Sequence, residues 1–277
     1  MKLKSRWLQD ITWKEAEEYL QEKNIAIVPV GATEQHGHAA AMGLDTYNAM
    51  HLAEDVAEQT DVLITPPLWF GDSSHHTAFP GTISLRSETM IAVVKDILRS
   101  LIKHDFSKIL IINGHKMSNL PALNIAAKDI HEYESPHTLI SIADPWKIAR
   151  GVAKQLKGET VEHHAGVLEV SQLLHKRPDL IRNKNLADES VDYKEIFSEW
   201  GLYDLFGQPM NDQGDGIDIV WNSEEQRHIV PTGQFSENSE ASDETGKKYH
   251  EYMVNVLVKF VQWLQDYEGP IGNTKGT

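Results

Sequence analysis

Apolar positions follow two rhythms along the first half of this chain. Short unbroken apolar runs alternate with longer stretches in which apolar residues recur every three or four positions. Ile25-Ala26-Ile27-Val28-Pro29-Val30-Gly31 is a run of the first kind and reads as a buried strand ending at a glycine. Thr46 to Gln59 is of the second kind, with Met50, Ala53, Val56 and Ala57 on one helical face. Val62 to Thr65 predicts a short second strand, closed by Pro66-Pro67. Ser87 is the expected N-cap of a helix from Glu88 to about His104, with Met90, Ile91, Val94, Ile97, Leu98 and Leu101 on its apolar face. Lys108 to Gly114 is the clearest strand, since a central parallel strand covered on both faces needs an uninterrupted apolar run. Asn119 to His131 predicts a helix and Thr138 to Ala143 a strand.

Beyond Arg150 the rhythm loosens. Ala165 to His175 reads as helical, and Thr245 to Gln265 as a closing amphipathic helix. Between them, residues 182–240 form a polar excursion rich in Gly, Asp and Asn, with Trp200, Phe206 and Trp221 embedded and room for an edge hairpin. Strands alternating with helices imply right-handed crossovers. The expected fold is therefore α/β, a doubly wound, mainly parallel sheet flanked by helices, in one domain across 1–277. No internal repeat or interdomain linker interrupts it.

Composition narrows the chemistry. The chain has 277 residues, 40% of them hydrophobic, enough to bury a full core. No segment approaches the ~20 apolar residues of a membrane span, and the mixed-charge start MKLKSRWLQD predicts no signal peptide. A cytoplasmic location fits that reading. Cysteine is absent, so any metal must be held by oxygen and nitrogen ligands. A net charge of −15 disfavours nucleic acid as a partner. Fourteen histidines are a generous supply, and many stand in loops beside Gly, Asp and Glu.

In open α/β sheets ligands bind beyond the carboxyl ends of the strands. The first expected strand is followed by Thr33-Glu34-Gln35-His36-Gly37-His38 and then by Asp45. The second is followed by Ser73-Ser74-His75-His76, the third by Asn113-Gly114-His115, the fourth by Asp144-Pro145-Trp146. Glu34 and His36, two apart on extended backbone, point to the same side. Asp45 stands where a helix begins, a place that favours a carboxylate, and its two oxygens can bridge two ions. Gly31, Gly37 and Gly43 let the backbone turn tightly there. Taken singly, each residue has an ordinary explanation as a loop residue, a helix cap or a turn. Jointly, Glu34, His36, Asp45 and His115 point to a divalent-metal site at one sheet edge.

These residues carry a resemblance. Val28-Pro29-Val30-Gly31-Ala32-Thr33-Glu34-Gln35-His36-Gly37-His38 with Asp45 resembles the first metal-binding motif of the creatininase (creatinine amidohydrolase) family. Phe79-Pro80-Gly81-Thr82 resembles its FPGT segment, Asn113-Gly114-His115 with Asn119 its NGH motif, and His164-Ala165-Gly166 with Glu169 and Ser171 its H-[AG]-G-x-x-E-x-S segment. The resemblance implies a doubly wound hydrolase with two divalent ions, Zn²⁺ or Mn²⁺ and sometimes iron, assembled as a homo-oligomer, commonly a hexamer. It implies that Glu34 and His115 hold one ion and His36 the other, with Asp45 bridging, and that a metal-activated hydroxide attacks a carbonyl of a small cyclic substrate. His164 matches the acid/base or substrate-contacting histidine; His163 is the alternative.

Two positions depart from the pattern. Lys116 and Met117 stand where creatininase itself has a tyrosine and a glutamate that binds the second metal. A thioether is a poor ligand for a hard divalent ion. Glu169 is the replacement the sequence offers; a weakly held or missing second ion is the other outcome. The same departures argue against creatinine as substrate. His76, Ser74, Trp146, Lys116 and His163 are the expected substrate contacts. Hydrolysis of a cyclic C–N bond leads, and C–C ring opening of a cyclic polyol ketone such as 3-dehydro-scyllo-inosose is the alternative. A metal-stabilised binding protein without catalysis is the third reading.

Overall fold

The computed structural model describes residues 4–158, 162–182 and 221–268, apart from the Met117 side chain. Four strands, β1 (Ile25–Val30), β2 (Leu63–Ile64), β3 (Lys108–Asn113) and β4 (Leu139–Ala143), form one sheet in the order β2-β1-β3-β4. Every pairing is parallel, and β1 and β3 run in register from Ile25↔Lys108 to Val30↔Asn113. All six residues of β1 are buried, as the unbroken apolar run requires.

Nine α-helices surround the sheet among the described residues. They are α1 (Trp13–Leu20), α2 (Leu44–Thr60), α3 (Ser87–Lys103), α4 (Lys116–Asp129), α5 (Pro145–Ile148), α6 (Arg150–Leu156), α7 (Val167–Lys176), α8 (Ser223–Ile229) and α9 (Asp243–Asp266). Strand side chains alternate between faces, and two cores follow from that. Ile25, Ile27, Leu110 and Ile112 pack with α2 and α9 on one face. Ala26, Val28, Ile109 and Ile111 pack with α3 and α4 on the other. Truncating a residue such as Ile112 to alanine would cost about 2–5 kcal/mol. The expected doubly wound α/β architecture is the one observed.

Several local expectations shift. Ser87 is the first helical residue of α3 rather than its cap; Arg86 takes the cap position, and the Ser87 hydroxyl donates to Asp72. Helix α4 begins directly after His115 and carries Pro121 inside it, at the loss of one ladder hydrogen bond. Helix α1 has no counterpart among the elements read from the periodicity. It starts at a reciprocal cap, in which Glu15 N–H donates to the Thr12 hydroxyl and Thr12 N–H to the Glu15 carboxylate. Of the excursion, residues 221–240 are described and hold α8; the hairpin, Trp200 and Phe206 fall outside the described residues. No described helix is long and apolar enough to cross a membrane.

Candidate metal centre

From β1 the chain moves to one edge, at β2, then crosses back to β3 on the other side of β1. The loops after β1 and β3 therefore part in opposite directions and leave a crevice between them. Glu34 and His36 lie beyond β1, His115 beyond β3, and Asp45 in the first turn of α2. Two glycines let these parts close up. A Cβ on Gly114 would stand 2.0 Å from the Asp45 carbonyl oxygen, and one on Gly31 would stand 2.4 Å from the Thr46 backbone nitrogen. The strand tips can thus abut the start of α2 only without side chains at those two positions. Asn119 holds the same junction, its amide donating to the Gly31 carbonyl at 3.0 Å while its oxygen accepts from Asp72 N–H at 2.9 Å.

Asp45 lies at the middle of a chain of close contacts. Its Oδ1 is 3.3 Å from His36 Nε2 and its Oδ2 is 3.2 Å from His115 Nδ1. His115 Nε2 is in turn 3.2 Å from Glu34 Oε2. Each imidazole is oriented by a backbone carbonyl at the nitrogen that does not face Asp45. His36 Nδ1 donates to the Glu34 carbonyl at 3.1 Å, and His115 Nε2 to the Asp72 carbonyl at 3.0 Å. Each imidazole thereby presents its other nitrogen, His36 Nε2 and His115 Nδ1, to Asp45, and an outer-nitrogen anchor of this kind is usual for metal-binding histidines.

Three groups of potential ligand atoms lie within 4.8 Å of one another: Glu34/His75/His115, Glu34/His36/His164 and His36/Asp45/Glu169. The four residues singled out from sequence meet in overlapping pairs, and no one group contains all four. His75 is an addition. Its ring stacks on His115, centroids 6.0 Å apart and nearly parallel.

Electrostatics show that the donor set suits a cation. Glu34, His36, Asp45 and His115 are each at most 6% exposed. Both oxygens of Glu34, Oδ2 of Asp45 and Nε2 of His36 have no hydrogen-bond partner, although buried polar atoms normally do. Burial drives the Glu34 carboxyl up to about 7, against the pull of His115. Burial also opposes charge on the histidines, yet Asp45 outweighs it at His36, whose pKa rises to about 9. Glu34 and Asp45 together raise His115 to about 10. The Asp45 carboxyl, despite its burial, is held below its usual range by His36 and His115. Protons thus stand in for positive charge among these groups, and a divalent cation competes for the same lone pairs.

The remaining expected residues divide. His164 joins the cluster, with Nδ1 3.5 Å from Glu34 Oε1 and Nε2 2.6 Å from the Gln35 carbonyl. Burial, then His36 and His76, push its pKa well below the ordinary value. His76 is buried beside it, with Nε2 3.7 Å from Glu34 Oε1 and Nδ1 3.1 Å from the Gln35 amide. Burial and neighbouring histidines lower His76 to about 2. Lys116 points at Glu169, Nζ to Oε2 2.9 Å, donates to the His163 carbonyl, and lies 5.3 Å above the Trp146 ring. Burial disfavours its charge, but Glu169 and Glu162 prevail and raise its pKa. Trp146 packs partly buried against the core. His163 is exposed and Ser74 is turned outward, its hydroxyl on Asp72 at 2.9 Å; neither side chain is in the cluster.

Two residues were not singled out from sequence. Gln35 spans the site, its amide 3.0 Å from His164 Nε2 and its oxygen accepting from Gly37 N–H at 2.9 Å. Glu162 accepts from Leu168 N–H and Glu169 N–H at the start of α7; burial raises its carboxyl to about 7. A glutamate two positions before the His-Ala-Gly motif was the available signal.

Comparison with known proteins agrees with this geometry. The family described as Creatininase: Creatinine amidohydrolase matches residues 9–261. A creatinine amidohydrolase of Pseudomonas putida is 30% identical over 201 residues, covering 67% of this chain and 77% of that protein. A 3-dehydro-scyllo-inosose hydrolase of Thermotoga maritima is 34% identical over 264 residues, covering 94% of this chain and 84% of that protein. Among solved structures, a mutant creatininase of Zn–Zn type superposes with TM-score 0.77 at 25% identity, covering 96% of this chain and all (100%) of that one. A manganese creatininase superposes with TM-score 0.76, also at 25% identity, covering 95% and 100%. The chain belongs to the creatininase family, as a divergent member, and is a metal-dependent hydrolase.

Proposed function

We propose that this chain opens a small cyclic substrate by adding water at a carbonyl, with two divalent-cation positions at the β1/β3 crevice. Glu34 and His115 would hold one ion, His36 and Glu169 the other, and Asp45 would bridge. The observation that supports this most is the set of buried, unpartnered ligand atoms on Glu34, His36 and Asp45. Zn²⁺ or Mn²⁺ held there would acidify water and offset negative charge developing on the substrate oxygen.

The chain's own groups supply the rest. His164 donates from Nε2 to the Gln35 carbonyl, so its Nδ1 is the atom free to take a proton. That atom faces the Glu34 carboxylate, at the edge of the cation cluster. It is placed to receive a proton from water and return it to the leaving nitrogen or carbon. The Gln35 carbonyl and Phe235 fix the His164 ring, the latter edge-on with centroids 5.8 Å apart. His76, in the same wall, stays neutral and excludes water from one side of Glu34.

Cleavage of a C–N bond in a cyclic amide is the leading reading. C–C ring opening of a cyclic polyol ketone is the second, and one observation favours it: similarity to the Thermotoga maritima hydrolase runs along 94% of this chain. Both reactions need a carbonyl polarised and a proton returned. The test is turnover of metal-reconstituted protein on cyclic amides and cyclic polyol ketones, with products weighed by mass spectrometry. A product heavier by one water from either class supports the proposal and names the bond; no turnover of either class rejects it. A homo-oligomer, a hexamer by resemblance, belongs to the same proposal and is tested by particle mass in solution.

A further inference from the structure

The two cation positions just proposed are unequal in their surroundings. At the first, Glu34 has no hydrogen-bond partner on either oxygen, and its ion-pair neighbours are histidines. At the second, His36 Nε2 is similarly open, but Glu169 is not. Its Oε2 is 2.9 Å from the Lys116 ammonium, and its Oε1 accepts from Gly166 N–H at 3.2 Å. Lys116 is held from three sides, by that carboxylate, by the His163 carbonyl and by the face of Trp146. Its charge therefore stands where a third ligand of the second cation must open.

We propose that Lys116 is a built-in competitor for the second cation: its ammonium occupies Glu169, so the chain holds one divalent ion tightly and the second weakly. The inference rests on the two-position reading above. Like charges that share one carboxylate in a poorly solvated pocket repel strongly. A second ion must either displace the ammonium from Glu169 or bind with its third ligand already engaged. The first position meets no such rival. Occupancy of the second position then follows the free metal concentration, while the first stays filled.

The test is titration of the metal-stripped full chain with Mn²⁺ alone, bound ions being counted by loss of the free-Mn²⁺ resonance and heats by calorimetry. The wild-type chain should bind in two steps, the second at least about tenfold weaker than the first. Lys116→Gln should tighten the second step by about 10- to 100-fold, the usual size of an outer-shell effect, and leave the first within about threefold. Lys116→Arg, which keeps a cation, should keep the weak second step. Glu169→Gln should lose that step. Lys116→Met replaces the glutamine variant if the latter fails to fold. Two equal steps in the wild type, or an unchanged second step in the folded charge-free variant, would overturn the inference while leaving the two-cation reading intact. No uptake by any of the chains would overturn both.

Discussion

Two clusters in this molecule pair histidine with carboxylate, one buried and one partly exposed, and they are built to opposite ends. Further along α2, His250 Nε2 donates to Asp55 Oδ2 at 2.9 Å while its Nδ1 meets the Gln172 amide at 3.1 Å. Lys176 donates to both Asp55 oxygens, at 3.0 and 2.8 Å. Every polar atom named there has a partner, and one carboxylate meets one ammonium. Around Asp45, two carboxylates face histidines that need protons to balance them, and four ligand atoms have no hydrogen bond. The first cluster fastens α2, α7 and α9 together. The second stores unmet coordination, which folding alone does not explain. Residue types are shared by the two; completeness of partnering distinguishes a fastener from a site.

That contrast can be broken most sharply at Asp45. Asp45→Ala should lower kcat/KM by about 1,000-fold or more, since it removes the shared ligand and the charge support of the reaction. The protein should remain folded by circular dichroism and lose bound metal. His164→Asn should follow, lowering kcat by about 100-fold or more while metal content stays at the wild-type level. Full turnover in either variant would dissolve the distinction.

The next effects are on stability. Metal at about 100 times its dissociation constant should stabilise the folded chain by about 2.7 kcal/mol, read as a rise in melting temperature reversed by chelator. Asp55→Ala should destabilise by about 1–3 kcal/mol, because it strands the His250 N–H, and should leave metal uptake unchanged. If Asp55→Ala instead released metal, the two clusters would not be independent. The smallest effect is on acid sensitivity. Burial works against charge on Asp55, but His250 and Lys176 outweigh it and hold its pKa at about 2. A depressed carboxylate contributes stability above its unfolded value and loses that contribution as pH falls from about 4 through about 2. Asp55→Asn should flatten that part of the melting-temperature profile.

Much of the frame was legible because its signals are local. β1 and β3 are unbroken apolar runs, and Glu34, His36 and His115 stand directly beyond them. Asp45 could be placed because α2 starts there by periodicity. Helix α1 was missed although Thr12 and Glu15 spell its cap; its single buried residue, Tyr19, leaves little apolar rhythm to read. The contacts that decide roles are not local. Lys116 reaches Glu169 past β4, α5 and α6, and Asp55 reaches His250 near the other end of the chain. No spacing rule announces either. Ser74 illustrates the converse: its place in a His-rich loop suggested the site, while Asp72 two residues before it turns its hydroxyl outward.

The carbonyls of Glu34 and Asp72 hold the outer nitrogens of His36 and His115 before any ion arrives. Both rings are thereby oriented by main chain, which is the least variable part of a polypeptide. Such a receptacle has little to rearrange when its occupant changes. Exchange of one divalent ion for another at such a site would leave the packing of the core unchanged.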